Sequence, residues 1–294
     1  MNRSRIAASL AAATLLASTS AFAEDLPTGL MKAKTATGGQ ENVASAGFEA
    51  PVAAPAEVKD STELKLSAGG LFSGGNSKSI AATGSTKLHL RREMNQLDGA
   101  LAANYGRSAP QGEGDLETTV ENFQGKIRYD RFVAEHVAVF AAMSGLRDRF
   151  LGLSLRLNLD PGLAYYFVDV PKHRLWTELG YDLQYDFRRP EAITAAAAAG
   201  QDLDRAEVRH SGRLFLGYDN ALSEAFTFDT GVEYLQALKE TENFRINWDL
   251  GITSRVGGNF SIATTLNLRY DHNPLPGVKR TDVTSAVSLV YQLL

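Results

Sequence analysis

The residues with most chemical potential in this sequence are charges set at every second position of apolar runs. In GLSLRLNLDPGLAYYFV (152–168), Arg156, Asn158 and Asp160 alternate with Leu155, Leu157 and Leu159. Successive side chains of an extended chain point to opposite faces, so the leucines share one face and the polar residues the other. RLWTELGYDLQYDF (174–187) repeats the pattern, with Glu178, Asp182, Gln184 and Asp186 opposite Leu175, Leu179, Tyr181, Leu183, Tyr185 and Phe187. In FRINWDLGITSRV (244–256), Arg245 and Asp249 stand opposite Phe244, Ile246, Trp248, Leu250 and Ile252. In FSIATTLNLRYD (260–271), Arg269 stands opposite Ile262, Leu266, Leu268 and Tyr270. Lys126, Arg128, Arg213, Asp229 and Glu233 fall on the polar faces of further segments of this kind.

If a sheet closes around these faces, the charges line a lumen, and two arrangements are open to them. Paired across the interior, they form a salt-bridged core. Segregated, they form a basic wall (Lys126, Arg128, Arg156, Arg213, Arg245, Arg269) facing an acidic wall (Asp182, Asp186, Asp229, Glu233, Asp249). Such walls set up a transverse field that orients small polar solutes.

Other chemistry has little support. The five histidines, His89, His136, His173, His210 and His272, fall in no HxxxH or HExxH spacing, and there is no GxSxG elbow or phosphate loop. His210 and Ser211 are adjacent and therefore point to opposite faces, which rules out a direct nucleophile–base pair. Asp271-His272 is the remaining weak hint of a hydrolase. Cysteine is absent, so disulfides and thiolate metal sites are excluded. No enzyme activity, metal or cofactor is expected.

The elements that position the charges start after an export signal. Arg3 and Arg5 precede an apolar run, Ile6 to Leu16, and Ala21-Phe22-Ala23 gives a small-x-small cleavage site, so residues 1–23 read as a cleavable signal peptide. Loss of those two arginines from 30 Lys and Arg leaves 28 against 34 acidic residues, a net −6, which disfavours nucleic acid as a partner. Residues 24–61 are rich in Ala, Pro, Gly and Glu and hold few large apolar groups, the composition of a flexible segment.

Residues 62–294 read as one domain of about twelve strands: 62–73, 78–91, 96–107, 119–131, 137–149, 152–168, 174–187, 206–219, 225–238, 244–256, 260–271 and 283–293. Each has the roughly ten residues needed to cross a bilayer as a tilted strand. In 137–149, VAVFAAMSGL is apolar on both faces, which blurs its register. Pro161 lacks a ladder donor, so a bulge at Asp160-Pro161-Gly162 within one long strand is expected. Connections alternate between short turns and a second set that holds the long loops, the threading of an outer-membrane barrel. Tyr165, Phe167, Tyr218, Phe226, Phe228, Phe260 and Tyr291 cluster toward the short turns. Phe72, Tyr105, Tyr185, Phe187, Phe244 and Tyr270 cluster toward the loops, giving two aromatic girdles. An arginine facing mid-bilayer lipid costs about 2–4 kcal/mol, so Arg156 is expected to point inward and the leucines outward. A soluble periplasmic β-protein, with the faces reversed, is the alternative to a closed antiparallel transmembrane β-barrel.

The stretches TELKLSAGGLFSGGNSKS (62–79), RLNLDPGLAYYFVDVPKHRLWTELGYDLQYD (156–186), RLFLGYDN (213–220) and LRYDHNPLPGVKRTDVTSAVSLVYQLL (268–294) resemble the YdiY-like family of salt-induced outer-membrane proteins. The resemblance implies a bacterial outer-membrane barrel in a Gram-negative envelope. Its partners would be outer-membrane lipid and lipopolysaccharide, and the barrel assembly machinery would insert it. The family offers no agreed catalytic residues, so none are carried over. The functional expectation is a narrow pore for ions or small polar solutes, or a structural envelope protein linked to salt or osmotic stress.

Overall fold

The computed structural model describes residues 60–73, 78–109, 115–170, 172–198, 200, 202–223, 225–273 and 280–293. The expected signal peptide lies outside the described residues. So does the expected flexible segment up to residue 59; its last residue, Ser61, opens the first strand.

Twelve antiparallel strands follow one another around a closed barrel: β1 (Ser61–Ser73), β2 (Lys78–Arg92), β3 (Asn95–Ala109), β4 (Glu117–Ala134), β5 (Val137–Asp148), β6 (Leu153–Val170), β7 (His173–Arg188), β8 (Ala206–Ala221), β9 (Phe226–Ala237), β10 (Phe244–Gly257), β11 (Phe260–Asp271) and β12 (Thr281–Gln292). Each strand pairs with its sequence neighbours, and β12 returns to β1. Closure brings β12 back to β1, which it pairs from Lys65↔Gln292 to Ala68↔Leu289, so that nearly the whole wall is hydrogen-bonded, as burial of backbone polar groups in lipid requires. No helix of the described residues is long and apolar enough to cross a membrane.

The face assignment follows the sequence pattern. Leu155, Leu157, Leu159, Leu163, Leu179, Leu214, Leu216, Val287 and Leu289 are exposed on the outside. Arg128, Asp130, Glu178, Asp182, Asp186 and Arg213 are buried inside. A soluble protein does not cover its exterior in leucine while burying ion pairs, so the barrel is of membrane type. Paired rings mark both ends of the apolar band: Tyr165–Phe167 at 5.1 Å and Phe260–Tyr291 at 4.8 Å near the turns, Tyr185–Phe187 at 4.6 Å and Phe244–Tyr270 at 5.7 Å near the loops. The side chain of Phe72 lies outside the described residues.

Pro161 departs from expectation. β6 is one strand, but it has no bulge at 160–162; its irregularities lie at Leu153/Leu155 and Tyr166/Val168. On the β5 side the ladder runs unbroken through Ala141↔Pro161. On the β7 side, pairing lapses between Leu159↔Leu183 and Gly162↔Gly180 and resumes in the same register. The missing N–H therefore costs local ladder pairing without shifting the strand. Gly162 and Gly180 let the strands close around it: a Cβ on Gly180 would lie 2.8 Å from the Pro161 carbonyl oxygen.

The loop between β7 and β8 carries an element the strand pattern did not contain, helix α1 (Pro190–Ala198). Proline at its first position and an alanine run suit a helix. It buries none of its residues.

Candidate functional site

The barrel interior holds the candidate residues in two layers. The deeper layer spans β4 to β10. Arg128 on β4 donates from Nε and Nη2 to Asp130 and from Nη1 to Glu178 Oε1 at 2.7 Å. Arg213 on β8 donates from Nη1 to Glu178 Oε2 and from Nε to Glu233 Oε1, both at 2.7 Å. Asn247 on β10 donates to Glu233 Oε2 at 2.7 Å, and the Trp176 indole N–H donates to Glu178 Oε1 at 3.2 Å. Glu178 thus receives two guanidinium groups from different sides of the barrel. Charge-assisted bonds of this kind satisfy ions removed from water, and each loses its compensation if a partner is removed.

Under this layer lies an aromatic floor. Phe132, Phe140, Tyr166, Trp176 and Phe215 point inward near the turn end, none more than 3% exposed, together with Ala138 and Ala164. The Arg128 guanidinium sits 4.0 Å from the Phe140 ring centroid, and that of Arg213 lies 5.7 Å from it. The cations therefore rest on the floor as well as on their carboxylates. Small residues make the space. The Trp176 ring lies flat on its register partner Gly217, where a Cβ would fall 2.1 Å from the ring.

The upper layer opens toward the loops. Arg156 makes a two-point contact with Asp186 at 2.7 and 2.6 Å. Arg245 donates to Gln184 at 2.7 Å and approaches Asp182 at 3.6 Å, while Asn158 donates to Asp182 at 2.7 Å. Arg269 pairs with Asp249 at 2.5 Å. The side chains of Arg156, Arg245 and Arg269 are 18–25% exposed, against 2–5% for Arg213 and Arg128, so solvent reaches this layer and not the one below.

The remaining candidates fit between. Lys126 is half-buried in the field of Arg213, Arg128, Asp160 and Glu233. Asp160 stands in the field of Asp182, Arg213 and Lys126. Asp229 lies against Gly251, its register partner on β10. Among the described residues, the five candidate arginines pair with Asp130, Glu178, Glu233, Asp186, Asp182 and Asp249, and the segregated two-wall arrangement does not form.

The floor carries a sequence signal that charge alone does not reveal. Trp176 has the parity of Glu178, Phe215 that of Arg213, and Tyr166 that of Arg156 and Asp160. The two apolar faces of VAVFAAMSGL have the same origin: Ala138, Phe140 and Ala142 face the floor, while Val139 and Met143 face outward.

The hydrolase hints do not assemble. His210 contacts the Tyr181 hydroxyl, its neighbour Ser211 is buried in the wall, and His272 stacks on Phe244 at 4.7 Å. Among the described residues, no three His, Asp or Glu side chains form a metal-binding group.

The chain is 25% identical over 242 residues to the uncharacterized protein YdiY of Escherichia coli (strain K12), covering 81% of this chain and 86% of that protein. The NanC porin superimposes with a TM-score of 0.50 at 12% identity, over 79% of this chain and all of that one. An outer-membrane channel from Pseudomonas putida F1 gives 0.45 at 11% identity, over 86% of this chain and all of that one. The likeness to NanC shows the fold alone. A family model matches residues 66–293, and the chain belongs to that family, described as "Protein of unknown function, DUF481".

Proposed function

We propose that this protein is an integral outer-membrane barrel that rests closed to ions and serves as a structural component of the envelope. The observation that carries this reading is the dense packing of the lumen along β4 to β9: an aromatic floor under a continuous Asp130–Arg128–Glu178–Arg213–Glu233 network, almost without solvent access. A permanently open pore of this width needs a water-filled path. Single-channel recording of the purified barrel in planar bilayers tests it. No conductance steps are expected at low or high salt, and regular steps in the wild-type protein would overturn the closed reading.

The part-exposed upper charges favour a second reading, a narrow pore for ions or small polar solutes that conducts only when the floor moves. The link to salt or osmotic stress rests on the resemblance to the YdiY-like family, and growth of a deletion strain at high osmolarity tests it. Export by a cleaved signal predicts a mature N-terminus at Glu24, read by N-terminal sequencing. Outer-membrane placement predicts retention in the pellet after carbonate washing. The non-enzymatic reading predicts equal background turnover for wild type, His210→Ala and His272→Ala on lipid and peptide substrates.

A further inference from the structure

The strand pair that closes the barrel is only partly zipped. β1 and β12 pair from Lys65↔Gln292 to Ala68↔Leu289, and the Leu293 amide donates to the Leu64 carbonyl at 2.8 Å. The same register would continue through Gly70↔Val287 and Phe72↔Ser285, yet among the described residues no such ladder forms. β1 meanwhile pairs with β2 as far as Ser73↔Ser79, and β12 with β11 as far as Tyr270↔Thr281. Both strands are therefore intact, and the lapse belongs to the seam between them. It lies in the loop-side half, at a level where Val283 and Val287 are 56% and 55% exposed on the outside. Unpaired backbone groups at hydrocarbon depth need a polar partner.

The lumen behind the slot differs from the rest of the wall. Its lining is small and hydroxyl-rich: Ala81, Thr83, Ser85 and Ser288, with Thr83 bonded to Asn104 and Asn104 donating to Asn122 at 2.7 Å. One strand away, the Thr265 hydroxyl is buried without a hydrogen-bond partner, and Thr265 is the register partner of Ala286 on β12. We propose that the loop-side half of the β1–β12 seam is a lateral slot that admits the polar head of an amphiphile from the outer leaflet. The acyl chains stay in the bilayer beside Val283 and Val287, and the head group's donors and acceptors meet the open strand edges and the hydroxyl wall. An inserted peptide strand would satisfy the edges equally but makes no use of the hydroxyl lining. The inference rests on the membrane placement above, which carbonate washing tests separately.

The chain has no cysteine, which makes the seam directly testable. In proteoliposomes under mild oxidant, Ala68→Cys/Leu289→Cys is expected to form a disulfide, because paired strand residues lie within bridging distance. Phe72→Cys/Ser285→Cys is expected not to form one. Phosphatidylethanolamine carrying a diazirine in its head group, photolysed in the same membranes, is expected to label lumen-facing Thr265 or Ser288. Bridging Cys pairs at 72 and 285 with a bis-maleimide should lower that labelling at least fivefold. Equal disulfide yield for the two pairs would show a zipped seam and overturn the proposal. So would head-group labelling confined to outward residues, or labelling that the bridge does not change. Heat-modifiable mobility on gels confirms that each variant is folded.

Discussion

Glu178 is the residue on which the interior turns, since two buried guanidinium groups meet on its carboxylate. Glu178→Gln keeps the shape but removes the charge that compensates Arg128 and Arg213. A loss of about 3–5 kcal/mol is expected, the cost of breaking a buried pair from one side, read from urea unfolding in detergent. Glu191→Gln, on exposed α1 with Arg189 3.5 Å away just before the helix, is expected to leave the unfolding midpoint unchanged. Gly217 offers a steric test. Gly217→Ala drives a methyl into the Trp176 ring and is expected to cost about 1–3 kcal/mol. Gly257→Ala, with nothing within 4 Å of the added carbon, should be near neutral in the same assay. The sequence shows both residues as glycines in strands; only the ring lying across one of them separates the two outcomes.

Among the elements, β6 is where sequence and structure constrain each other most tightly. Its leucines are outside and Arg156 is tied to Asp186 within. Leu157→Arg places a charge toward acyl chains at about 2–4 kcal/mol and is expected to reduce the inserted fraction on membrane fractionation. Arg156→Leu should still insert, because Asp186 keeps the Gln184 amide at 3.0 Å, but with a lower unfolding midpoint. Equal tolerance of the two changes would reverse the face assignment. The period of two reveals such strands because every segment must serve two solvents at once. It does not reveal how a strand absorbs a proline: the Pro161 ladder survives on one side because the donor is missing only on the other. Nor does it reveal α1, which buries none of its residues and so carries no apolar stripe.

For the whole molecule, the proposed closed state rests on the aromatic floor near the turns. Removing the floor is expected to expose a path: Phe140→Ala/Phe215→Ala should give conductance steps where the wild type gives none, recorded in the same planar bilayers. Silence in a folded double variant would assign the block to the ion-pair layer instead. The strand number, the alternation of turns and loops and the membrane-facing side are all legible in the order of the residues. Each of these is a local consequence of parity and of the cost of charge in lipid. That the charges pair instead of forming two walls emerges on folding, because pairing needs residues as distant in sequence as Arg128 and Glu178 to meet inside the barrel. The same holds for the aromatic floor: parity marks Trp176, Tyr166 and Phe215 as inward, but whether inward rings leave a channel or fill it depends on barrel width and on the glycines opposite them.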